Sequence, residues 1–374
     1  MAQRTAPPFR AEHVGSLLRP PQVAAARERY DRGELGLEER RAIEDDAIRD
    51  LVRMQEDVGL RAVTDGELRR RSWHMDFVYG LQGISQAPTG QAVDFHRPDG
   101  TTVVSAQGAL RVDGRIALGD TIFGEDFAFL RSVVTTATPK LTIPSPNMIY
   151  ARGGRAAIDA HVYPDLYACW EDVVDAYAEE LRRLAELGCR YVQFDDTSLA
   201  MLNDPRQHEA LRARGDDPHE QLAAAVEHLN AVTARRPEGM AITTHMCRGN
   251  YRSSWAAEGG YDFVAETVFA QLDVDGFFAE FDDDRSGGFA PLRFVAPDKV
   301  VVLGLVTTKV GALESKDDLR RRIDEASRYV PVERLCLSPQ CGFASTLEGN
   351  ELTYDEQVAK LALVVEMAEE VWGR

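Results

Sequence analysis

His245 and Cys247 stand two residues apart in THMCRGNYRSSW, a stretch that ends at Trp255 and begins where the apolar Ala241-Ile242 gives out. In an extended strand, residues i and i+2 project to the same side. An imidazole and a thiolate at this spacing can therefore converge on one point, as two ligands of a metal ion do. The same pair also fits a core histidine beside an ordinary buried cysteine, so the rest of the chain must decide. Cys341 sits in S-P-Q-C-G, where Pro339 and Gly342 set a sharp turn. Glu280 follows the apolar run Phe277-Phe278-Ala279 and precedes the polar FDDDRSGG, where it could equally be one more acid of a surface loop. One imidazole, two thiolates and one carboxylate make a four-coordinate set suited to Zn²⁺. The other three cysteines, Cys169, Cys189 and Cys336, fall inside helix- or strand-like patterns and read as packing residues.

Four ligands from distant parts of the chain need a frame to bring them together. Eight short β-rich runs recur, at 9–16, 61–67, 140–146, 190–196, 241–247, 275–281, 299–306 and 333–341. Between and after them lie helical stretches at 38–59, 163–188, 218–236, 315–330 and 354–372, with apolar residues at three- and four-residue intervals. Ser315 followed by Asp317 and Asp318 marks a helix start, and Gly188 a helix stop. This alternation predicts an α/β chain folded as one (β/α)₈ TIM barrel over 1–374. A doubly wound open sheet is the alternative, but no G-x-G-x-x-G stands at a strand–helix junction. Residues 80–125 break the rhythm. Their alternating TTVVSAQGALRVDGRIALG, with Asp-Gly at 99–100 and 113–114, predicts a β-hairpin insertion after the second strand, either a lid or a decorated loop.

Barrel enzymes place their chemistry at the C-terminal ends of the strands. In order those ends carry Ser16, Glu67, Ser145, Asp195 with Asp196, His245 with Cys247, Glu280, Lys309 just past the seventh strand, and Cys341. The bulk composition narrows the partners. With 61 acidic against 43 basic residues the formal charge is −18, which disfavours nucleic acid and anionic membrane surfaces. An odd count of five cysteines does not read as a disulfide framework, and no apolar signal core or bilayer-length run is present. A soluble protein of the reducing cytoplasm, working on small molecules, is the expectation.

From HVGSLLRP at 13–20 to the final helix, these motifs in this order resemble the cobalamin-independent methionine synthases. The likeness is to the C-terminal catalytic barrel of the long enzymes and to the short single-barrel members. It implies His245, Cys247, Glu280 and Cys341 as zinc ligands. It also implies a thiol-substrate pocket built from Gly15 and Ser16, Glu67 in TDGE and Asp195 in QFDD. Two departures stand out. The chain lacks the long enzymes' N-terminal barrel, and their D-x-H after the seventh strand is replaced by Thr307-Thr308-Lys309. Lys309 therefore occupies the position of the proton donor.

The implied activity is methyl transfer to a thiol, most simply homocysteine giving methionine, from a methylated pterin or another small donor. Glu67 and Asp195 would face the ammonium, and the Ser16 region the carboxylate. Alternatively, Glu67 pairs with one of Arg69, Arg70 and Arg71. Lys309 would protonate the donor nitrogen, bind an anionic group of the donor, or sit at the rim. Two other activities fit less closely: a thiol alkyltransferase of the epoxyalkane:coenzyme M transferase type, and a non-catalytic zinc-binding barrel. Two acids suit an ammonium better than a sulfonate, and structural zinc sites are usually closed by Cys and His alone.

Overall fold

The structure, a computed structural model, describes residues 4–88, 92–97, 99–106 and 108–373. In chain order its strands are β1 (Ala62–Val63), β2 (Gln82–Gln86), β3 (Ala92–His96), β4 (Thr102–Ala106), β5 (Leu110–Ala117) and β6 (Thr138–Pro139). They continue with β7 (Leu141–Pro144), β8 (Tyr191–Asp196), β9 (Ala241–Met246), β10 (Gly276–Glu280), β11 (Val300–Val306) and β12 (Leu335–Pro339). The last six form one parallel sheet in the order β12-β11-β10-β9-β8-β7. β1 pairs in parallel with β6, which only Lys140 separates from β7. The helices Leu37–Asp57, Leu166–Glu186, Pro218–Thr233, Lys316–Ala326 and Tyr354–Trp372 precede, alternate with or follow these strands, as the 3.6-residue periodicity predicts, and Ala265–Gln271 adds a shorter one that the periodicity does not mark. Ser315 caps its helix by accepting from the Asp318 amide, and Gly188 follows the helix Leu166–Glu186 at φ 92°. No helix among the described residues is long and apolar enough to cross a membrane.

The sheet sorts its side chains with a period of two. Val192, Phe194, Ile242, Met246, Phe277, Ala279, Val301, Leu303, Leu335 and Leu337 join the large apolar cluster shared with the helices. Phe278, Val300, Val302 and Cys336 belong to a smaller cluster with Val14 on the opposite face. Asp195, His245 and Glu280 keep step with that second set along their strands, so the alternation that buries the core also selects where these three side chains go.

The expected first strand, 9–16, is not a strand. Only Ala11 bridges in parallel to Leu337 of β12, flanked by amide bonds from Leu337 to the Arg10 carbonyl and from Glu12 to that of Leu337. Beyond it, side chains replace a ladder. The carbonyls of His13, Val14 and Gly15 accept from Lys140 Nζ at 2.6 Å, Gln193 Nε2 at 2.8 Å and Thr64 Oγ1 at 2.6 Å. The expected second strand shrinks to β1 because Gln55 takes both backbone groups of Thr64, and Gly66 and Glu67 turn to positive φ.

Between β1 and β6 the chain makes two antiparallel pairs, β2 with β5 and β3 with β4. Residues 89–91, 98 and 107 of the 80–125 segment lie outside the described residues. Asp99-Gly100 does form the turn of the β3–β4 pair, with the Asp99 carboxylate accepting from Thr101. Asp113-Gly114 does not turn. It lies within β5, where the register with β2 shifts and a Cβ on Gly114 would stand 3.1 Å from Gly83 Cα.

Candidate active site and metal centre

The four expected ligands arrive from the ends of β9, β10 and β12, the last separated from β10 by β11. β9 and β10 pair His245 with Phe278 and Met246 with Ala279, so Cys247 and Glu280 finish level one step further on. Gly304 of β11 pairs with Glu280, and the chain leaving β12 passes so close that a Cβ on Gly304 would stand 2.8 Å from Gln340 Cα. That approach brings Cys341 back over the strand ends. One donor atom from each of His245, Cys247, Glu280 and Cys341 lies within 4.8 Å of the others, and all four residues are buried. The two sulfurs are 3.3 Å apart.

The chemistry of this set fits zinc. Among the described residues, neither ring nitrogen of His245 and not Glu280 Oε2 makes a hydrogen bond, although both side chains are buried. Buried polar atoms ordinarily find partners, and a cation would supply them. Zinc at roughly 2.0–2.3 Å from each donor would hold the donors on the order of 3.3–3.8 Å apart, so the set closes on an ion with small shifts. Burial alone would hold the His245 imidazole low, but the Cys341 sulfur and the carboxylates of Asp195 and Glu280 bring it above its ordinary value. Burial raises the Glu280 carboxyl against the pull of Lys309 and Arg285. The hydrogen bond between these two free thiols holds Cys341 well below the usual thiol value and pushes Cys247 well above it.

Arginines lock the ligands from behind. Arg248, fully buried, stacks over Tyr261 and donates to the Glu280 carbonyl and the Tyr261 hydroxyl, while that hydroxyl accepts from the Glu280 amide. Arg248 and Arg285 each lie 3.6 Å from Glu280 Oε2. Asn250 donates to the Gly342 carbonyl at 2.8 Å and so ties the Cys247 segment to the Cys341 segment. A side chain at Gly342 would displace the Ser16 hydroxyl, since a Cβ there would fall 2.0 Å from Ser16 Oγ.

A cavity of about 670 Å³, counted with its open mouth, lies over the ligands. Ser16, Glu67, Asp195, His245, Cys247 and Cys341 all line it, so the expected thiol pocket and most of the metal set share one space. Gly15 does not line it. A Cβ on Gly15 would stand 2.6 Å from Thr142 Cγ2 and 3.0 Å from Glu67 Oε1, so this glycine makes room for the carboxylate. Glu67 is buried at φ 58°, a backbone state uncommon for a residue with a side chain. It accepts from Thr142 Oγ1 at 2.8 Å and lies 3.7 Å from Arg70 Nη1, the arginine pairing anticipated from the sequence. Asp195 accepts from Gln193 Nε2 at 2.7 Å. Burial first, and then the Glu67 charge, push the Asp195 carboxyl up to about 7; burial likewise raises Glu67. Val93 and Phe95 of β3 wall the same cavity, which gives the 80–125 insertion a place at the site.

Lys309 stands apart from these residues. It is 4% exposed, does not line the cavity, and its ammonium acts on Glu280, Asp282 and Cys341. Of the five lysines it is the one whose Nζ makes no hydrogen bond among the described residues. Trp73, Arg152 and Asn250 are site residues that strand-end logic did not find. The polar R-G-N after H-M-C was the available signal for Asn250; Trp73 and Arg152 lie in loops with no pattern.

Residues 9–370 match the family described as the catalytic domain of cobalamin-independent synthases. The chain is 46% identical to the uncharacterized protein YxjG of Bacillus subtilis over 99% of its own length and 96% of that protein's. It is 21% identical to the 5-methyltetrahydropteroyltriglutamate–homocysteine methyltransferase of Thermotoga sp. (strain RQ2), of which it spans 45%. A structure from Listeria monocytogenes, provisionally termed a vitamin-B12-independent methionine synthase, superposes with a TM-score of 0.79 at 36% identity, covering 99% of this chain and all of that one. A B12-independent methionine synthase from Shewanella, solved with selenomethionine, shares the fold with a TM-score of 0.67 at 19% identity, over 97% of each chain. With its motifs, its fold and nearly its whole length accounted for, the chain belongs to the cobalamin-independent methionine synthase family.

Proposed function

We propose that the protein is a zinc-dependent methyltransferase that moves a methyl group from a small donor, a methylated pterin or a related compound, to the sulfur of homocysteine. In this proposal the six-stranded sheet, the β1–β6 pair and the Ala11 bridge are parts of one closed (β/α)₈ barrel over 1–374, working in the reducing cytoplasm. One observation carries it: four buried zinc-type donors within 4.8 Å lie under a cavity whose walls also hold two carboxylates and Ser16. An amino-acid thiol needs that combination, a soft centre for sulfur and negative charge for the ammonium. A structural zinc site needs only the first.

Bound zinc would supply thiol activation, because an alkyl thiol with a free pKa near ~8.5 becomes a nucleophilic thiolate at neutral pH when coordinated. The chain's own residues do the rest. Glu67, fixed by Thr142 and Arg70, and Asp195, fixed by Gln193, hold the ammonium; the segment at Gly15 and Ser16 closes the pocket beside them. Val93 and Phe95 help keep water from the sulfur. Lys309 is the proposed acid of the donor half. Its buried ammonium beside Glu280 and Cys341 also favours the deprotonated forms of both ligands. The homocysteine methyltransferase named among the relatives supports the acceptor.

The test is to incubate zinc-loaded protein with L-homocysteine and a panel of methyl donors and to follow methionine. Methionine formed in proportion to bound zinc supports the proposal. Transfer to thiols lacking an amino group, with homocysteine inert, would replace it with the alkyltransferase alternative.

A further inference from the structure

Arg152 is the one arginine or lysine among the described residues lining the cavity. Its guanidinium makes no hydrogen bond, ion pair or ring contact among the described residues, and its Nε is buried. The other arginines near the strand ends are all engaged: Arg19 and Arg27 with carbonyls, Arg70 with Thr142 and Glu67, Arg248 and Arg285 with Glu280. The two carboxylates of the cavity have partners elsewhere, as described, and neither pairs with Arg152. The side chain is half-buried, and an Nε donor turned from water without an acceptor is costly. Its neighbourhood offers no relief. Burial and the Arg152 charge hold His74 well below its ordinary value, and the nearby lining residues include Trp73, Phe95 and Met201.

We infer that Arg152 is the anion-recognition residue of this cavity and receives an oxyanion, carboxylate or phosphate, carried by one of the two reactants. It stands one residue past the short helix Asn147–Ala151 that follows β7, so the strand that positions Thr142 and Glu67 also delivers the guanidinium. The planar fork suits a bidentate oxyanion. The anion has two possible sources, the carboxylate of the amino-acid thiol or an acidic group on the methyl donor. The inference rests on the proposed methyltransferase function for its choice of reactants, but not for the existence of the anion site.

Two experiments separate these points. The first measures binding to zinc-loaded protein by calorimetry for parent, Arg152→Gln and Arg152→Lys. The ligands are L-homocysteine, 3-aminopropane-1-thiol (the same thiol and amine without the carboxylate) and 5-methyltetrahydropteroyltriglutamate. Arg152→Gln should weaken one of the two carboxylate-bearing ligands by about tenfold or more, leave 3-aminopropane-1-thiol unchanged, and be partly rescued by Arg152→Lys. Whichever ligand suffers identifies the source. The second follows melting of the protein with and without inorganic phosphate. Arg152→Gln should melt higher than the parent in ligand-free buffer, because a half-buried cation with an unmatched Nε donor is gone, and should lose the phosphate-induced rise of the parent. Unchanged affinity for both carboxylate-bearing ligands, or a lower melting temperature of Arg152→Gln in ligand-free buffer, overturns the inference. A phosphate effect confined to the parent, with neither reactant bound, upholds the anion site and removes the methyltransferase proposal instead.

Discussion

Replacing Glu67 by Gln tests how the cavity recognises an amino acid. Gln keeps the size of the side chain and an acceptor for Thr142 Oγ1, which stands 2.8 Å from the carboxylate, so the positive-φ turn should persist. What goes is one negative charge facing the substrate ammonium. A hydrogen bond to a charged group contributes roughly 1.5–3 kcal/mol, which corresponds to about 10- to 150-fold in affinity. The second carboxylate moderates the loss. Glu67 raises the Asp195 carboxyl, so Glu67→Gln should let Asp195 ionise at lower pH and recover part of the attraction. The expected loss for L-homocysteine is therefore near the low end, about tenfold at pH 7, and larger at pH 8.5, where Asp195 is already charged in the parent. Binding of 4-mercaptobutanoate, which has no amino group, should weaken by less than about twofold. Calorimetric titration of both thiols into zinc-loaded parent and variant measures this. Equal losses for the two thiols would refute the assignment and leave Glu67 as the structural partner of Arg70.

Three further outcomes follow from the same geometry. Cys247→Ser with Cys341→Ser should abolish the binding of about one Zn²⁺ per chain while circular dichroism stays that of the parent; full zinc retention by mass spectrometry of metals would remove the site assignment. Lys309→Ala should slow single-turnover methyl transfer by about tenfold or more with homocysteine affinity unchanged, and transfer at the parent rate from every working donor would make Lys309 a bystander. Glu180, buried where its carboxylate meets the Ile122 amide, is pushed up to about 7 by burial. Its folded value lies above its unfolded one, so its stabilisation is complete below about pH 4.5 and is lost as pH rises to 7, on the order of 3 kcal/mol at most. Denaturant melts should show Glu180→Gln gaining on the parent across that window; a constant difference would contradict the burial effect.

The clustering of His245, Cys247, Glu280 and Cys341 was legible because the strands carry their chemistry at predictable places. H-x-C straddles the end of β9, Glu280 closes β10, and the P-x-C-G turn follows β12, so a period of two and a fold class sufficed. Segment 9–16 was misread because its apolar, β-prone pattern is real, whereas its backbone bonds go to Lys140, Gln193 and Thr64, residues far off in sequence. Asp113-Gly114 has the composition of a turn, but its glycine serves close packing against Gly83 inside a strand. Gly15 was named for the pocket for a motif's sake; it does not line the cavity, and its work is to clear space for Glu67. Arg152 escaped notice for a different reason. What distinguishes it is the absence of a partner, and a missing ion pair leaves no mark in a sequence.

The most decisive measurement is proton release when L-homocysteine binds to zinc-loaded protein in weakly buffered indicator solution at pH 7. If the site exists to make a thiolate, homocysteine should release close to one proton per molecule more than homoserine, since the ammonium of either displaces the Asp195 proton, and the Cys247→Ser, Cys341→Ser variant should lose that excess. Homocysteine binding with no excess over homoserine, or with an equal excess from the variant, would mean that the four ligands do not activate the thiol.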